Sequence, residues 1–420
     1  MRNLKTAIII LLPCALLIFV FGAFFLLSPA PPRLPLSLLS EPAAVPAPDP
    51  VPSPAPLSPP AAPAPNQTAA ALPEGGALAS SSSSVSSSSL AAAPSRYIYE
   101  QLSPAQKTVY DRFRAALWNM DAEAEVSRAE ERGLGSLEII DIFYAVICDY
   151  PEIFWSDSYI YTSRNLRFGE TYLNVRFSYT MSAAERAETQ RKIDAWTEAC
   201  LSGLDAGADD FRKILYVYEY IINNTEYDLA ADYNQDIVSV FLYGRSVCMG
   251  YTKATQYLLQ RLGVACTAVS GAAAGLGPHA WNLVRAEGEY YYLDTTWGDP
   301  DLARNAYVSH DYFLVTSADL AVTHQPDVKY ALPDCVSTRL NYFNVMNRRF
   351  DRYDKATVLR AMREDLALSD LTAVRFSSVA AYREAVSDLF DNQGIFDISS
   401  HSLISYFLSD ELCIITVQER

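Results

Sequence analysis

Three residues of this chain carry side chains that can share a proton, and the sequence sets them close together: Cys248, His279 and Asp294. A thiolate is a strong nucleophile, an imidazole can hold and return its proton, and a carboxylate can orient the imidazole. Cys248 follows Gly244-Arg245-Ser246-Val247 and leads the run GYTKATQYLLQRLG. Tyr251, Ala254, Tyr257, Leu258 and Leu262 recur there at helical spacing, and Gly263 closes the run. Cys248 is therefore expected at a helix N-terminus, where unpaired N–H groups and the helix dipole favour a thiolate. A small buried thiol is the ordinary alternative for a free cysteine.

His279 to Val284 and Tyr290 to Asp294 read as two strands about Glu287-Gly288. A two-residue turn there pairs Ala286 with Glu289 and sets His279 and Asp294 diagonally on one face. A slip of one residue would part them. An aspartate so placed can accept the Nδ1–H of the imidazole and leave Nε2 for the thiol.

These stretches resemble the transglutaminase-like superfamily. Its bacterial domains read G-x-x-V-C-x-G-Y-x-K-A, then H-x-W-N, then D-x-T-W-G-D-P. Here those are Gly244 through Ala254, His279 through Asn282 and Asp294 through Pro300. The likeness covers roughly 209–335 and reaches weakly to YPEIFW at 150–155; it departs at Val238, where an aromatic is expected. It implies a papain-like core of the α+β class with Cys, His and Asp in this order. The chemistry implied is acyl transfer. Cys248 attacks a carboxamide, His279 holds the thiolate and then protonates the leaving amine, and Asp294 orients His279. The thioester passes to an amine or to water. The backbone N–H of Cys248 is one oxyanion donor and the amide of Gln235 a candidate second. Trp281 and Trp297 are expected to wall the site.

The elements around this unit follow from composition. Residues 1–28 hold Arg2 and Lys5 and then an uncharged apolar run, Ala7 to Leu27, long enough to cross a bilayer. The positive flank favours a signal anchor with the remainder outside the cell; a cleaved signal peptide is the alternative. Residues 29–95 are dominated by Pro, Ala and Ser and are expected to be a disordered spacer. Residues 96–205 read as a helical and strand extension on the core. Its helices start at Ser103-Pro104, at Ser136 and at Ser182 with Glu185 in the capping-box place, and Thr171 to Thr180 alternates as a strand. The catalytic core is expected over 206–336, opening with the apolar helix Asp210 to Asn223. A small α/β region follows over 337–420.

The four histidines and seven cysteines suggest no metal and no cofactor. His310 and His324 stand at no metal-ligand spacing and read as structural. Cys266 and Cys335 could bridge in an oxidising compartment or remain buried thiols. A net charge of −16 argues against nucleic acid as a partner. The expected partners are a protein or peptide substrate, with cell-wall protein as one possibility, and the membrane through the N-terminal helix. Two other readings stand beside the enzyme: a catalytically silent module that binds a wall or protein ligand, and a structural fold presenting its flanks.

Overall fold

Local signals in the N-terminal extension set its helices. The computed structural model describes residues 96–419, apart from 127–133, 168–169, 276, 301–306, 328 and 399–403. The expected anchor and spacer lie outside the described residues. Among the described residues no helix is long and apolar enough to cross a membrane.

A short helix α1 (Tyr97–Gln101) precedes α2 (Pro104–Asn119). Ser103 accepts from Gln106 N, the Gln106 side chain returns the bond, and Pro104 takes the first helical position. Strand β1 (Glu123–Val126) and helix α3 (Ser136–Asp149) follow. Then β2 (Ser156–Arg167) and β3 (Glu170–Tyr179) complete an antiparallel sheet in the order β1-β3-β2. The capping box of Ser182 and Glu185 opens α4 (Ala183–Leu201), and Asp209 caps α5 (Asp210–Asn224).

The next elements carry Cys248, His279 and the approach to Asp294. Strand β4 (Glu226–Tyr227) pairs in parallel with β5 (Arg245–Ser246). Between them a π turn at Ser239–Tyr243 ends on Gly244, whose φ of 62° suits glycine. Val247 caps α6 (Cys248–Arg261), which is buried over most of its length. Behind it lie β6 (Ala265–Ala273), β7 (Gly277–Ala286) and β8 (Glu289–Leu293), then a short α7 (Ser317–Leu320) and β9 (His324–Pro326). The four strands form an antiparallel sheet in the order β8-β7-β6-β9. Ala286 pairs with Glu289, and Glu287 and Gly288 have φ of 47° and 89°, the left-handed pair that a two-residue hairpin demands.

The C-terminal α/β region holds a four-stranded sheet with helices. Helix α8 (Tyr342–Val345), β10 (Arg349–Phe350), α9 (Lys355–Leu366), β11 (Leu371–Phe376), α10 (Val379–Val386), β12 (Ile404–Ser409) and β13 (Ile414–Glu419) build a second four-stranded sheet, ordered β10-β11-β13-β12.

Burial shows how these parts are joined. One apolar core runs from Ile98 to Leu340 and includes Phe113, Phe143 and Trp155 with Tyr218, Tyr251, Leu258 and Tyr291. The N-terminal extension and the catalytic elements therefore desolvate each other. A separate core, with Val358, Met362, Val374 and Ile415, holds the C-terminal sheet. A third cluster joins the two sheets, packing Val269, Trp281 and Leu283 with Leu412 and Ile414. Cys266 and Cys335 sit in different clusters and are free thiols, so no bridge joins them.

Candidate active site

Cys248 is the first residue of α6, where the unpaired amides of the first turn gather. The short parallel pairing of β4 with β5 delivers the chain to that point. Ser246 fixes the approach, accepting or donating to Ser239 Oγ at 2.6 Å and donating to Asn234 O at 3.0 Å. Gly250 has no room for a side chain, because a Cβ would stand 1.9 Å from Ser246 Oγ. Cys248 itself is half-buried, unlike the buried thiols Cys200, Cys266, Cys335 and Cys413. Burial pushes Cys200 up to about 12 and Cys335 up to about 11, and Cys266 higher still.

The helix is tied to its sheet by polar bonds as well as apolar contact. Asn282 Nδ2 donates to Thr252 O at 3.0 Å, and Thr255 Oγ1 meets Thr295 Oγ1 at 2.9 Å. Tyr251 OH reaches both Thr225 O and Asp299 Oδ2. Gly298, next to that aspartate, lies against α5: a Cβ there would be 2.1 Å from the Tyr218 hydroxyl.

His279 and Asp294 share one face of the β7–β8 hairpin, and His279 Nε2 lies 2.7 Å from Asp294 Oδ2. The Cys248 side chain lies near enough to His279 to help raise it. With Nε2 on the carboxylate, Nδ1 is the nitrogen left for sulfur, the reverse of the orientation expected from the sequence. Asn282 and Val284, on the opposite face of β7 from His279, pack against α6.

Asp294 is fully buried and its four acceptor sites are filled. Oδ1 accepts from Thr296 N at 2.9 Å and Trp297 N at 3.1 Å. Oδ2 accepts from His279 Nε2 and from a second imidazole, His324 Nε2, at 3.0 Å. Burial alone would raise this carboxyl; the His279 charge and the two imidazole bonds hold it well below the usual carboxylate range. For His279, burial opposes the charged ring, but the Asp294 carboxylate and the Cys248 side chain raise it to about 10.

Two residues at this centre escaped the sequence reading. His324, read there as structural, heads β9 and lies against Asp294, because β9 pairs with β6 in the register Ala273 with His324. No local spacing reveals a pairing between distant strands. Tyr227, in β4, lies beside Cys248, and burial raises its hydroxyl to about 12. Gln235 follows Asn234, whose carbonyl accepts from Ser246 Oγ. Its Nε2 donates to Asn234 Oδ1 at 3.0 Å, it lines a cleft with Ser156, Thr180 and Asp232, and among the described residues no hydrogen bond joins it to Cys248, His279 or Asp294.

Trp297 and Trp281 flank the imidazoles. Their rings lie 5.9 Å and 6.0 Å from that of His279, and Trp281 is fully buried. The ligand-type atoms of His279, Asp294 and His324 fall within 4.8 Å of one another, compact enough for a cation. Both imidazoles, however, stand at hydrogen-bond distance from one carboxylate oxygen, and those bonds satisfy all three groups. His310 lies apart, with Nε2 3.1 Å from Glu219 Oε1 and its ring stacked on Tyr342 at 3.7 Å.

A thiol at a helix start, facing an imidazole and a carboxylate on an antiparallel sheet, is the layout of the papain-like class of folds. Residues 194–295 match the model of the transglutaminase-like superfamily, and the chain carries a domain of that family. Among curated proteins it is similar to the kyphoscoliosis peptidase of Homo sapiens, 26% identical over 141 residues, which is 29% of this chain and 21% of that protein. The Mus musculus protein is 24% identical over 147 residues, 30% of this chain and 22% of its own. The chain thus spans about a fifth of the length of these relatives. Among solved structures it resembles a TGase, with 16% identity and a TM-score of 0.25 over 35% of this chain and 46% of that one. It also resembles a candidate cysteine protease of Cytophaga hutchinsonii, with 11% identity and a TM-score of 0.22 over 33% and 62%.

Proposed function

We propose that this protein is a thiol enzyme that transfers the acyl group of protein or peptide amides, acting at the cell surface behind a membrane anchor and spacer. The observation that supports the reading is the buried 2.7 Å bond between His279 and Asp294, with the Cys248 side chain near enough to His279 to help raise it. Cys248 sulfur attacks the amide carbon, and the C–N bond breaks as the His279 imidazolium gives its proton to the departing amine. Asp294 holds the ring in the orientation that step needs and stabilises its charge. The resulting thioester passes to a second amine, forming a crosslink, or to water, giving deamidation or cleavage. The Cys248 N–H is one donor to the oxyanion, and the Gln235 side-chain amide is the candidate second. Trp281 and Trp297 wall the site. The surface location rests on the apolar run Ala7 to Leu27 and the Pro/Ala/Ser segment after it.

The test is incubation of the purified protein with a fluorescent primary amine and surface or wall proteins, with mass spectrometry of the products. Cys248-dependent amine incorporation, deamidation or cleavage supports the reading. Stoichiometric binding that Cys248→Ser leaves intact, with no product in any channel, would sink it in favour of a silent module.

A further inference from the structure

We propose that His324 is a positioning residue of this centre, a second imidazole that locks the Asp294 carboxylate and shares its charge with His279. The inference rests on the catalytic reading of Cys248, His279 and Asp294.

The fold goes to some length to put this imidazole where it is. Strand β9 pairs at the edge of the sheet, with Gly271 opposite Pro326, Ala272 opposite Gln325 and Ala273 opposite His324. The approach is so close that a Cβ on Gly271 would stand 2.2 Å from Gln325 O. The His324 side chain is wholly buried in an aromatic box, its ring 4.5 Å from Trp297, 4.9 Å from Tyr312 and 5.0 Å from Trp281. In such a box a polar ring must have partners for both nitrogens. Nε2 has Asp294 Oδ2 at 3.0 Å, and Nδ1 has Thr323 Oγ1 at 2.8 Å, which in turn meets the Tyr312 hydroxyl.

An ionised carboxylate only accepts, so Nε2 of both imidazoles carries a proton and donates to Asp294. His324 Nδ1 meets the Thr323 hydroxyl, which in turn meets Tyr312.

Two consequences follow for His279. With two backbone N–H groups on Oδ1 and two imidazoles on Oδ2, the carboxylate cannot turn, and the ring it holds keeps its aim at sulfur. Part of its negative charge is also drawn by His324, so its hold on the His279 proton is weaker than a sole partner's would be. The other titratable groups facing the centre are Cys248 from α6, Tyr227 from β4, Tyr218 from α5 and Tyr312 from the segment before α7. None of these donates to Oδ2 among the described residues.

The experiment needs no substrate. On the full chain, the rate of Cys248 alkylation is measured against pH with iodoacetate and with iodoacetamide, reading the Cys248 peptide by mass spectrometry. The anionic reagent is favoured over the neutral one while the His279 imidazolium is present, so the pH at which the rate ratio falls reports the loss of that proton. In His324→Phe the fall moves to higher pH, and Cys248 reactivity at neutral pH drops on the order of 10–100-fold, the usual scale for an orienting partner. His324→Gln, which keeps a donor near Nε2, returns both towards the parent. Thr323→Val, which leaves the ring but removes its Nδ1 partner, shows a smaller shift in the same direction and serves if the phenylalanine variant does not fold. An unmoved midpoint in every folded variant overturns the proposal and leaves the catalytic reading standing. A parent Cys248 no more reactive than Cys266 and Cys335 overturns the catalytic reading, and the proposal with it.

Discussion

Two buried aspartates on either side of the catalytic helix make opposite use of burial. Asp294, after β8, meets four N–H donors and is held below the usual carboxylate range. Asp236, in the loop before the π turn, accepts from Val238 N at 2.9 Å. Burial pushes it up to about 7, against the nearby charge of Lys253 and that one amide. The helix between them is the same and so is the dryness. The His279 charge and the two imidazole bonds at Asp294, which Asp236 lacks, decide which carboxyl is charged at neutral pH. Only a carboxylate that stays charged can hold an imidazolium beside a thiolate, so the hairpin end of the sheet, and not the loop, is where the geometry supports chemistry.

Removing the charge at the saturated end tests this contrast hardest. Asp294→Asn should keep the fold, judged by circular dichroism, and lower acyl-transfer kcat by on the order of 10³–10⁴-fold, the scale seen when a triad imidazole loses its orienting charge. The sign of the accompanying pH effect is set by the same pair. His279 is raised to about 10 by Asp294, so the imidazolium persists up to that pH in the parent. In the variant the alkaline limb of the rate profile should retreat towards the ordinary histidine range, ~6.5. A limb that stays in place would mean that Asp294 is not its cause.

Next in size is a change that leaves every polar group intact and disturbs only placement. Gly271→Ala must push β9 outwards, with an overpacking cost of about 1–3 kcal/mol in thermal unfolding and a loss of Cys248 reactivity through displaced His324. Unchanged reactivity in a folded Gly271→Ala protein would separate the edge strand from the site.

The loop carboxyl should behave in the opposite sense to Asp294. Because its pKa is raised in the fold, its contribution to stability is fully present below about pH 4, the unfolded value. That contribution is lost as pH rises through about 7. Asp236→Asn removes the loss, so urea denaturation should show the variant gaining on the order of 1 kcal/mol on the parent at pH 8 relative to pH 4, with activity unchanged. A variant that loses ground at pH 8 would break the comparison. Smallest of all, Glu287→Asn should relieve the positive φ of the hairpin at the expense of an exposed ion pair with Arg339, changing stability by less than about 1 kcal/mol. Its melting temperature should therefore stay near the parent's.

Much of this site was legible in the residues themselves. The helix behind Cys248, the Glu287-Gly288 turn and the pairing of Ala286 with Glu289 all follow from local rules of spacing and turn geometry. So do the caps at Ser103 and Ser182. What was not legible depends on which distant strand lies beside which. His324 reaches Asp294 only because β9 returns to β6, and Tyr227 reaches Cys248 only because β4 runs beside β5. The imidazole orientation was misjudged as well, since the hairpin register fixes the shared face but not which ring nitrogen meets the carboxylate. Gln235 was named by analogy of position, and its amide donates to the neighbouring Asn234. Strand β2 was missed because its run, SDSYIYTSRNLR, is rich in polar residues and lacks a clean apolar alternation.

The apolar cluster that joins the two sheets bears on how the protein reaches its working form. Trp281 and Leu283, neighbours of His279 on β7, are packed with Leu412 and Ile414 at the start of β13. These partners are far apart along the chain, and contacts of that kind close late because the intervening loop must first be ordered. The hairpin and the catalytic helix can form early from local contacts, yet the aromatic wall behind the imidazole is finished only when β13 docks. A refolding chain should therefore regain helix signal before Cys248 acquires its reactivity, with a lag set by the arrival of the second sheet.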